Sequence, residues 1–279
     1  MRKISQSTAV VTGAASGIGR ALAIHLAERG CKLALSDINM TQLKETQALI
    51  EAHKAEDHLQ QLDVSASQAV FDYAQAVQQE FGQVNIVINN AGVGLNSGTF
   101  EQTSLEEFEW LMSINFSGVL YGTKAFLPIL KQADWGHIVN ISSLFGIIGV
   151  GGQAAYNASK FGVRGMTEAL RQELDLSCPN VSCTSVHPGG VKTNIVRNSR
   201  AGVNQDKNHA DFLMGSAEEF ERLAGTTADS AAKQIIKAIE QDKRRLIIGK
   251  DAKLMDWVQR KFPNNYPKVF RFLIKLARR

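Results

Sequence analysis

The sequence predicts an α/β protein built on an open, doubly wound parallel sheet of seven strands with helices on both faces. Three observations carry this reading. Short β-rich runs alternate with helix-length amphipathic segments, several runs are apolar nearly throughout, and a glycine-rich turn joins the first strand to the first helix. With 279 residues, 44% hydrophobic, 21% charged and no low-complexity tract, the chain can bury one large core, which excludes a disordered or fibrous protein.

Strands are expected at Thr8–Thr12, Lys32–Ser36, His58–Leu62, Ile86–Asn89, His137–Ile141, Val181–Val186 and Leu246–Ile248. Between them the 3.6-residue apolar period predicts helices over Gly17–Arg29, Thr41–Lys54, Ser67–Phe81, Ser104–Lys131, Ala154–Leu176 and Ser230–Gln241. The stretch 190–227 has no strong period, and a long excursion of that kind in a compact domain suits a substrate lid. Its apolar members are Phe212, Leu213, Met214, Phe220 and Leu223. Residues 1–250 therefore read as one domain that includes the lid, and 251–279 as a basic amphipathic extension.

The formal charge of +4 is unevenly spread: 12 Lys/Arg and only Asp251 and Asp256 fall between Lys243 and Arg279, leaving an acidic body. Three cysteines, Cys31, Cys178 and Cys183, form no metal-ligand spacing and read as buried hydrophobes. The N-terminus lacks a long apolar stretch before a small-residue cleavage site, and no segment approaches a membrane span, so a cytoplasmic, unprocessed protein is expected.

Thr12-Gly13-Ala14-Ala15-Ser16-Gly17-Ile18-Gly19 follows the first strand and opens a helix. Glycines there allow a tight turn and close approach of the backbone to a pyrophosphate, whose charge rests on helix N-terminal amides. Asp37 ends the second strand about 20 residues further on, where a carboxylate can bond ribose hydroxyls and repel a 2′-phosphate. No cation stands at Ser16, Ile38 or Asn39, so NAD is favoured over NADP. Asp63-Val64 and Asn89-Asn90-Ala91-Gly92 lie at the carboxyl ends of the third and fourth strands, the ligand-binding edge of such sheets. Taken alone, Asp63 reads more readily as a helix cap, whereas Asp37 stands where the nucleotide fingerprint places its carboxylate, ahead of a cap for the next helix.

With Tyr156-x-x-x-Lys160 and Pro188-Gly189 in the same order, the chain resembles the short-chain dehydrogenase/reductase family over about residues 5–250. The resemblance implies a Rossmann-like fold. It implies that Gly13, Ser16, Gly17, Ile18 and Gly19 hold the pyrophosphate, Asp37 the ribose, and Asp63 and Val64 the adenine. Asn90, Ala91 and Gly92 would line the next part of the cleft, with Pro188, Gly189, Val191 and Thr193 at the nicotinamide. Asn115, Ser143, Tyr156 and Lys160 match the family's catalytic tetrad. Asn115 would orient a water that links lysine to solvent, and Lys160 would hold nicotinamide ribose hydroxyls. Dimers or tetramers through the two long central helices are also implied.

Tyr156 and Lys160, four apart on a helix, share one face. Free tyrosine has a pKa near ~10, and a neighbouring ammonium favours phenolate, which suits the pair to general acid/base work. Ser143 can bond the reacting oxygen and stabilise charge as it grows. No metal is needed. His187 pairs with no carboxylate in the sequence and reads as structural. Each residue alone could be an ordinary turn, core or surface residue, whereas their conjunction behind a nucleotide fingerprint points to an NAD(H)-dependent interconversion of an alcohol with a ketone or aldehyde.

The uncharged run Leu144 to Gly152 joins two of these residues, so a hydrophobic substrate is expected, although core packing explains the same residues. Reduction of a 3-ketoacyl thioester is the competing reaction, and a membrane-associated NAD-binding protein with little turnover is the competing class. In the tail, Lys268, Arg271, Lys275 and Arg278 fall on one helix side, with Val269, Phe270, Leu273, Leu276 and Ala277 on the other. That pattern over 266–279 fits peripheral contact with an anionic membrane or packing on the body or a second subunit. Nucleic-acid binding is not expected, because no recognised module accompanies the charge.

Overall fold

Residue-by-residue burial explains why the seven runs form a sheet. In the computed structural model, which describes residues 4–204 and 217–277, β1 (Thr8–Thr12) and β4 (Ile86–Asn89) are buried throughout. With β2 (Lys32–Asp37), β3 (Asp57–Gln61), β5 (Gly136–Ile141), β6 (Val181–Pro188) and β7 (Arg245–Ile248) they form one sheet in the order β7-β6-β5-β4-β1-β2-β3. All neighbours run parallel, and Val10 stands opposite both Ala34 and Val87. Alternation sends Val11 and Ile88 into one core with Leu22, Leu26 and Ile235, while Val10 and Val87 enter another with Phe126, Ile138 and Leu174. The strand order reverses between β1 and β4, which opens a crevice at their carboxyl ends.

The covering helices are α1 (Gly17–Ala27), α2 (Met40–Ile50), α3 (Ser67–Phe81), α4 (Leu105–Met112), α5 (Gly118–Leu130), α6 (Ala154–Ser177), α7 (Ala217–Leu223), α8 (Ala228–Glu240), α9 (Lys250–Lys261) and α10 (Tyr266–Ala277). The single helix expected over Ser104–Lys131 is a correction: α4 and α5 are joined by a wide π-turn at Ser113–Ser117. Ser104 and Glu107 close a capping box at the start of α4, as their types suggest. The turn widens where Asn115 leans out to hydrogen-bond a neighbouring backbone, and such local insertions concentrate at functional sites.

The aperiodic stretch is held by ladders too short to leave a hydropathy signal. Val191–Lys192 pairs with Thr226–Thr227, and Leu95–Asn96 pairs with Arg200–Ala201. Of the apolar lid residues, Phe220 is half-buried and Leu223 exposed on α7, whereas Phe212, Leu213 and Met214 lie outside the described residues.

Lys250 marks no break in packing. Ala252, Met255 and Val258 of α9 are buried with Leu144, Ile147, Ile148 and Val150, and Tyr266, Val269, Phe270 and Leu273 of α10 pack against the same cluster. The apolar face of α10 is narrower than its sequence suggests, since Leu276 is exposed; Arg278 lies outside the described residues. Among the described residues, no helix is long and apolar enough to cross a membrane, and the three cysteines are buried and free.

Candidate active site

At the β1–α1 turn, Gly13 (φ 65°) and Gly17 (φ 54°) adopt left-handed backbone that disfavours side chains. A Cβ at Gly13 would stand 2.8 Å from the Ala91 Cα, and one at Gly19 only 2.0 Å from the Gly13 carbonyl oxygen. Thr12 and Asn90 lace this turn to the end of β4. Asn90 Nδ2 donates to the carbonyls of Thr12 and Gly13 (3.0 and 3.1 Å), and Thr12 Oγ1 accepts from the amides of Asn90 and Ala91 (3.0 and 3.1 Å).

Ser16 is extended and no side chain caps α1, so the first-turn amides of Gly17, Ile18 and Gly19 face the crevice as donors. Across it, Thr193 stands where a Gly17 Cβ would meet its Cγ2 at 3.2 Å. Asp37 is fixed at the rim: Oδ2 accepts from Ala15 N at 3.0 Å and Oδ1 from Asn39 N at 2.9 Å. Arg20 commits its guanidinium to Thr46, the Gln42 carbonyl and Glu45 on α2. Bare helix amides, a cradle without Cβ atoms and an anchored carboxylate fit the pyrophosphate and ribose of a dinucleotide.

Asp63 does not cap α3, whose N-cap is Ala66; it closes a local turn, accepting from the Ser65 amide and hydroxyl at 2.9 and 2.7 Å. Val64 is buried against Gly118, where a Cβ would meet it at 2.8 Å. Pro188 ends β6. Gly189 and Gly190 follow it, and Asp251 of α9 accepts from Gly190 N at 2.7 Å. Val191 is buried beside this turn. Asp251 carried no sequence signal, because its partner is a backbone amide 61 residues away.

The four tetrad candidates converge beyond Gly92. A Cβ there would stand 3.1 Å from Asn115 Oδ1 and 3.5 Å from Lys160 Nζ. Lys160 Nζ donates to the Ile141 carbonyl at 3.1 Å and lies 5.6 Å from the Tyr156 ring centroid. Ser143 stands beside Tyr156, near enough for its hydroxyl to pull the phenol's pKa down, and Ser143 Oγ accepts from Phe145 N at 3.1 Å. The Asn115 carboxamide is tied to Val93, accepting from its amide at 2.8 Å and donating to its carbonyl at 2.9 Å. The Asn115 side chain thereby fixes the exit of β4 beside Gly92.

Burial pushes the Tyr156 hydroxyl up to about 12, partly offset by the Ser143 hydroxyl, and lowers Lys160 from 10.5 to about 8. The ammonium does not bring the phenol into the neutral range by itself. Between pH 8 and 10.5 the unfolded chain holds a lysine proton that the fold has released, so stability rises with pH across that window and the full cost applies below it. Lys160→Met is accordingly expected to be more stable at pH 7 by about 1–2 kcal/mol, after the lost Ile141 hydrogen bond is set against the relieved desolvation. The advantage should shrink above pH 8, and denaturant titrations at pH 7 and 10 read both values.

His187 is structural, as expected. Nδ1 donates to the Ser143 carbonyl at 3.2 Å, Nε2 accepts from Ser185 at 3.0 Å, and burial lowers the ring to about 3, so it stays neutral. Sequence reasoning missed Asn157. Its Nδ2 donates to the carbonyls of Phe145 and Ile148 (2.9 and 3.1 Å), and its Oδ1 accepts from Val150 N at 3.0 Å, which clamps the apolar loop beside Ser143. An asparagine inside a helix is a weak former, and this was the available signal. Tyr266 was missed also: its hydroxyl accepts from Gly149 N and donates to Gly149 O at 3.0 and 3.2 Å. No group of three or more potential metal ligands occurs among the described residues.

A family model described as short chain dehydrogenase matches residues 7–204. SadH of Mycobacterium tuberculosis, named as an oxidoreductase, is 43% identical over 270 residues, 96% of this chain and 95% of SadH. A short chain dehydrogenase/reductase from Burkholderia phymatum, solved in complex with NAD, is 28% identical with a TM-score of 0.85 over 94% of this chain and 95% of that one. An alcohol dehydrogenase from the archaeon Thermococcus sibiricus, complexed with 5-hydroxy-NADP, is 27% identical with a TM-score of 0.71 over 88% and 96%.

Proposed function

The chain belongs to the short-chain dehydrogenase/reductase family, and we propose that it is an NAD(H)-dependent oxidoreductase interconverting an apolar alcohol with its ketone or aldehyde, Tyr156 serving as general acid/base. The Ser143–Tyr156 hydroxyl pair, with the Lys160 ammonium behind the tyrosine ring, is the observation that carries the reading. Two hydroxyls placed side by side can both reach one substrate oxygen. In reduction, Tyr156 gives its proton to the alkoxide as it forms, while Ser143 stabilises the growing charge. In oxidation the proton runs the other way. The nicotinamide supplies or takes the hydride.

A phenol near 12 is protonated at neutral pH, which is the state that donates in reduction. Oxidation needs an added pull on that proton, such as the cationic ring of the oxidised cofactor provides. Lys160 is positioned to hold ribose hydroxyls, with Asn115 keeping Gly92 and Val93 in place beside it.

Asp37 supports NAD, because its anchored carboxylate would repel a 2′-phosphate and Arg20 is committed to α2. An apolar substrate is supported by three rings in sequence: Phe145 lies edge-on to Tyr156 (centroids 6.1 Å, 85°) and to Phe270 (6.3 Å, 82°). A panel of alkanols and alkyl ketones of rising chain length, followed at the reduced-nicotinamide band with either cofactor, tests both points. The expected result is preference for NAD and a KM that falls with chain length; preference for NADP or for short polar substrates contradicts it. Phe270→Ala should raise KM for the longest good substrate by about tenfold, with a smaller change in kcat, as loss of a buried aromatic contact does.

Members of the family commonly form oligomers and act on small molecules. For this chain a homodimer or homotetramer through α4–α5 and α6 is the expected assembly, read by its mass in solution.

A further inference from the structure

We infer that the outward faces of α9 and α10 form a docking surface for an anionic lipid bilayer. The inward faces of both helices are already occupied by the core around Leu144 and Ile148. What remains outside combines large apolar side chains with charge of one sign. Trp257 and Phe262 are 55% and 51% exposed with their rings packed edge-on at 6.3 Å, and Phe272 and Leu276 are 64% and 57% exposed. Exposed aromatic and aliphatic side chains rimmed by one sign of charge mark an interaction surface.

The cations are not balanced. Lys253 and Lys261 flank Trp257 on α9, and Lys268, Arg271 and Lys275 flank Phe272 on α10; all five are exposed. Both carboxylates of this region are held elsewhere. Asp251 accepts from Gly190 N at 2.7 Å, and Asp256 pairs with Arg245 at 2.8 Å and Arg260 at 3.0 Å. Beside α9 lies an open groove of about 540 Å³ whose charged lining is Lys237, Lys243 and Lys253, together with Arg245 and Arg260, which share Asp256. Lys253 belongs to both the groove and the outward face, so the positive surface is continuous.

The charge also selects the occupant. A second copy docking through a two-fold axis would bring the same cations face to face, a repulsive contact. An anionic bilayer answers both halves of the pattern: headgroups meet the cations and the groove, while Trp257, Phe262 and Phe272 enter the acyl boundary. Each Lys/Arg near such a surface strengthens binding by about fivefold.

Co-sedimentation of the full chain with vesicles of phosphatidylcholine, or of phosphatidylcholine and phosphatidylglycerol in equal parts, tests this. Binding is expected to the mixed vesicles and to fall with added salt. Combined Lys268→Gln, Arg271→Gln and Lys275→Gln should weaken it by about a hundredfold, and Trp257→Ser with Phe272→Ser should abolish it, with thermal midpoints unchanged because these side chains are exposed. Absence of binding, equal binding to neutral vesicles, or undiminished binding of the folded triple variant would overturn the assignment. So would a drop in the protein's mass in the triple variant without any vesicle binding by the parent, because the face would then be a subunit contact.

Discussion

Tyr156→Phe is expected to lower kcat/KM in both directions by about a thousandfold, within the range typical of lost general acid/base catalysis. The substitution keeps the ring against Phe145 and the Lys160 ammonium 5.6 Å away, and removes only the hydroxyl beside Ser143. NADH affinity, read by fluorescence, should therefore stay within about threefold of the parent, since no phosphate or adenosine contact is touched. A pH profile separates the role from packing. In the parent, reduction should persist across neutral pH, where the phenol is protonated and Lys160 charged, and decline above about pH 8 as Lys160 gives up its proton, well below the phenol's own ionisation near 12. The variant should show a low, flat rate. Full activity with phenylalanine would remove Tyr156 from the proton path and favour a nucleotide-binding protein without this chemistry.

Gly19→Ala is expected to cost more than a hundredfold in cofactor affinity, together with about 1–3 kcal/mol of stability. The added methyl group would stand 2.0 Å from the Gly13 carbonyl oxygen and 2.7 Å from Asn90 Nδ2. Neither neighbour can yield cheaply: Gly13 is in left-handed backbone, and Asn90 Nδ2 is bonded to two carbonyls of the same turn. Relief must move the α1 amides, the proposed pyrophosphate donors. Gly225→Ala is the matched control. It lies outside α4–α6 with nothing within 4 Å of the new methyl, so the alanine should be neutral or stabilising by up to ~1 kcal/mol. Isothermal titration with NADH and thermal unfolding read both variants; equal affinities would mean that the glycine turn does not hold the cofactor.

The parts of the fold written in local pattern were readable from the chain. Central strands such as β1 and β4 are covered on both faces, so their residues must be apolar whatever surrounds them. Gly13, Gly17 and Gly19 are likewise legible, because backbone conformation and close approach leave no other residue free to stand there. Tyr156 and Lys160 share a helix face by spacing alone.

What escaped depends on partners distant in sequence. Asn115 lies within a smooth helical pattern, and only the Val93 backbone 22 residues away explains the π-turn. Asn157, Asp251 and Tyr266 act through backbone amides and carbonyls, which look alike in every sequence. The tail reads as an appendage because its apolar stripe is visible while its partner is not; that partner is the loop 144–150 beside Ser143. The lysine in the pair was readable, but the direction of its shift was not, because burial outweighs the attraction between neighbours at this site.

Transfer of label from NADH deuterated at the nicotinamide C4 to an apolar ketone tests the central claim most directly. The wild-type protein should place one deuterium on the carbinol carbon of the product and take the hydroxyl proton from water by way of Tyr156, with NADPH a poor substitute. Product without carbon-bound deuterium from either C4 epimer of the labelled cofactor, or no product with any ketone in the panel, would contradict the account.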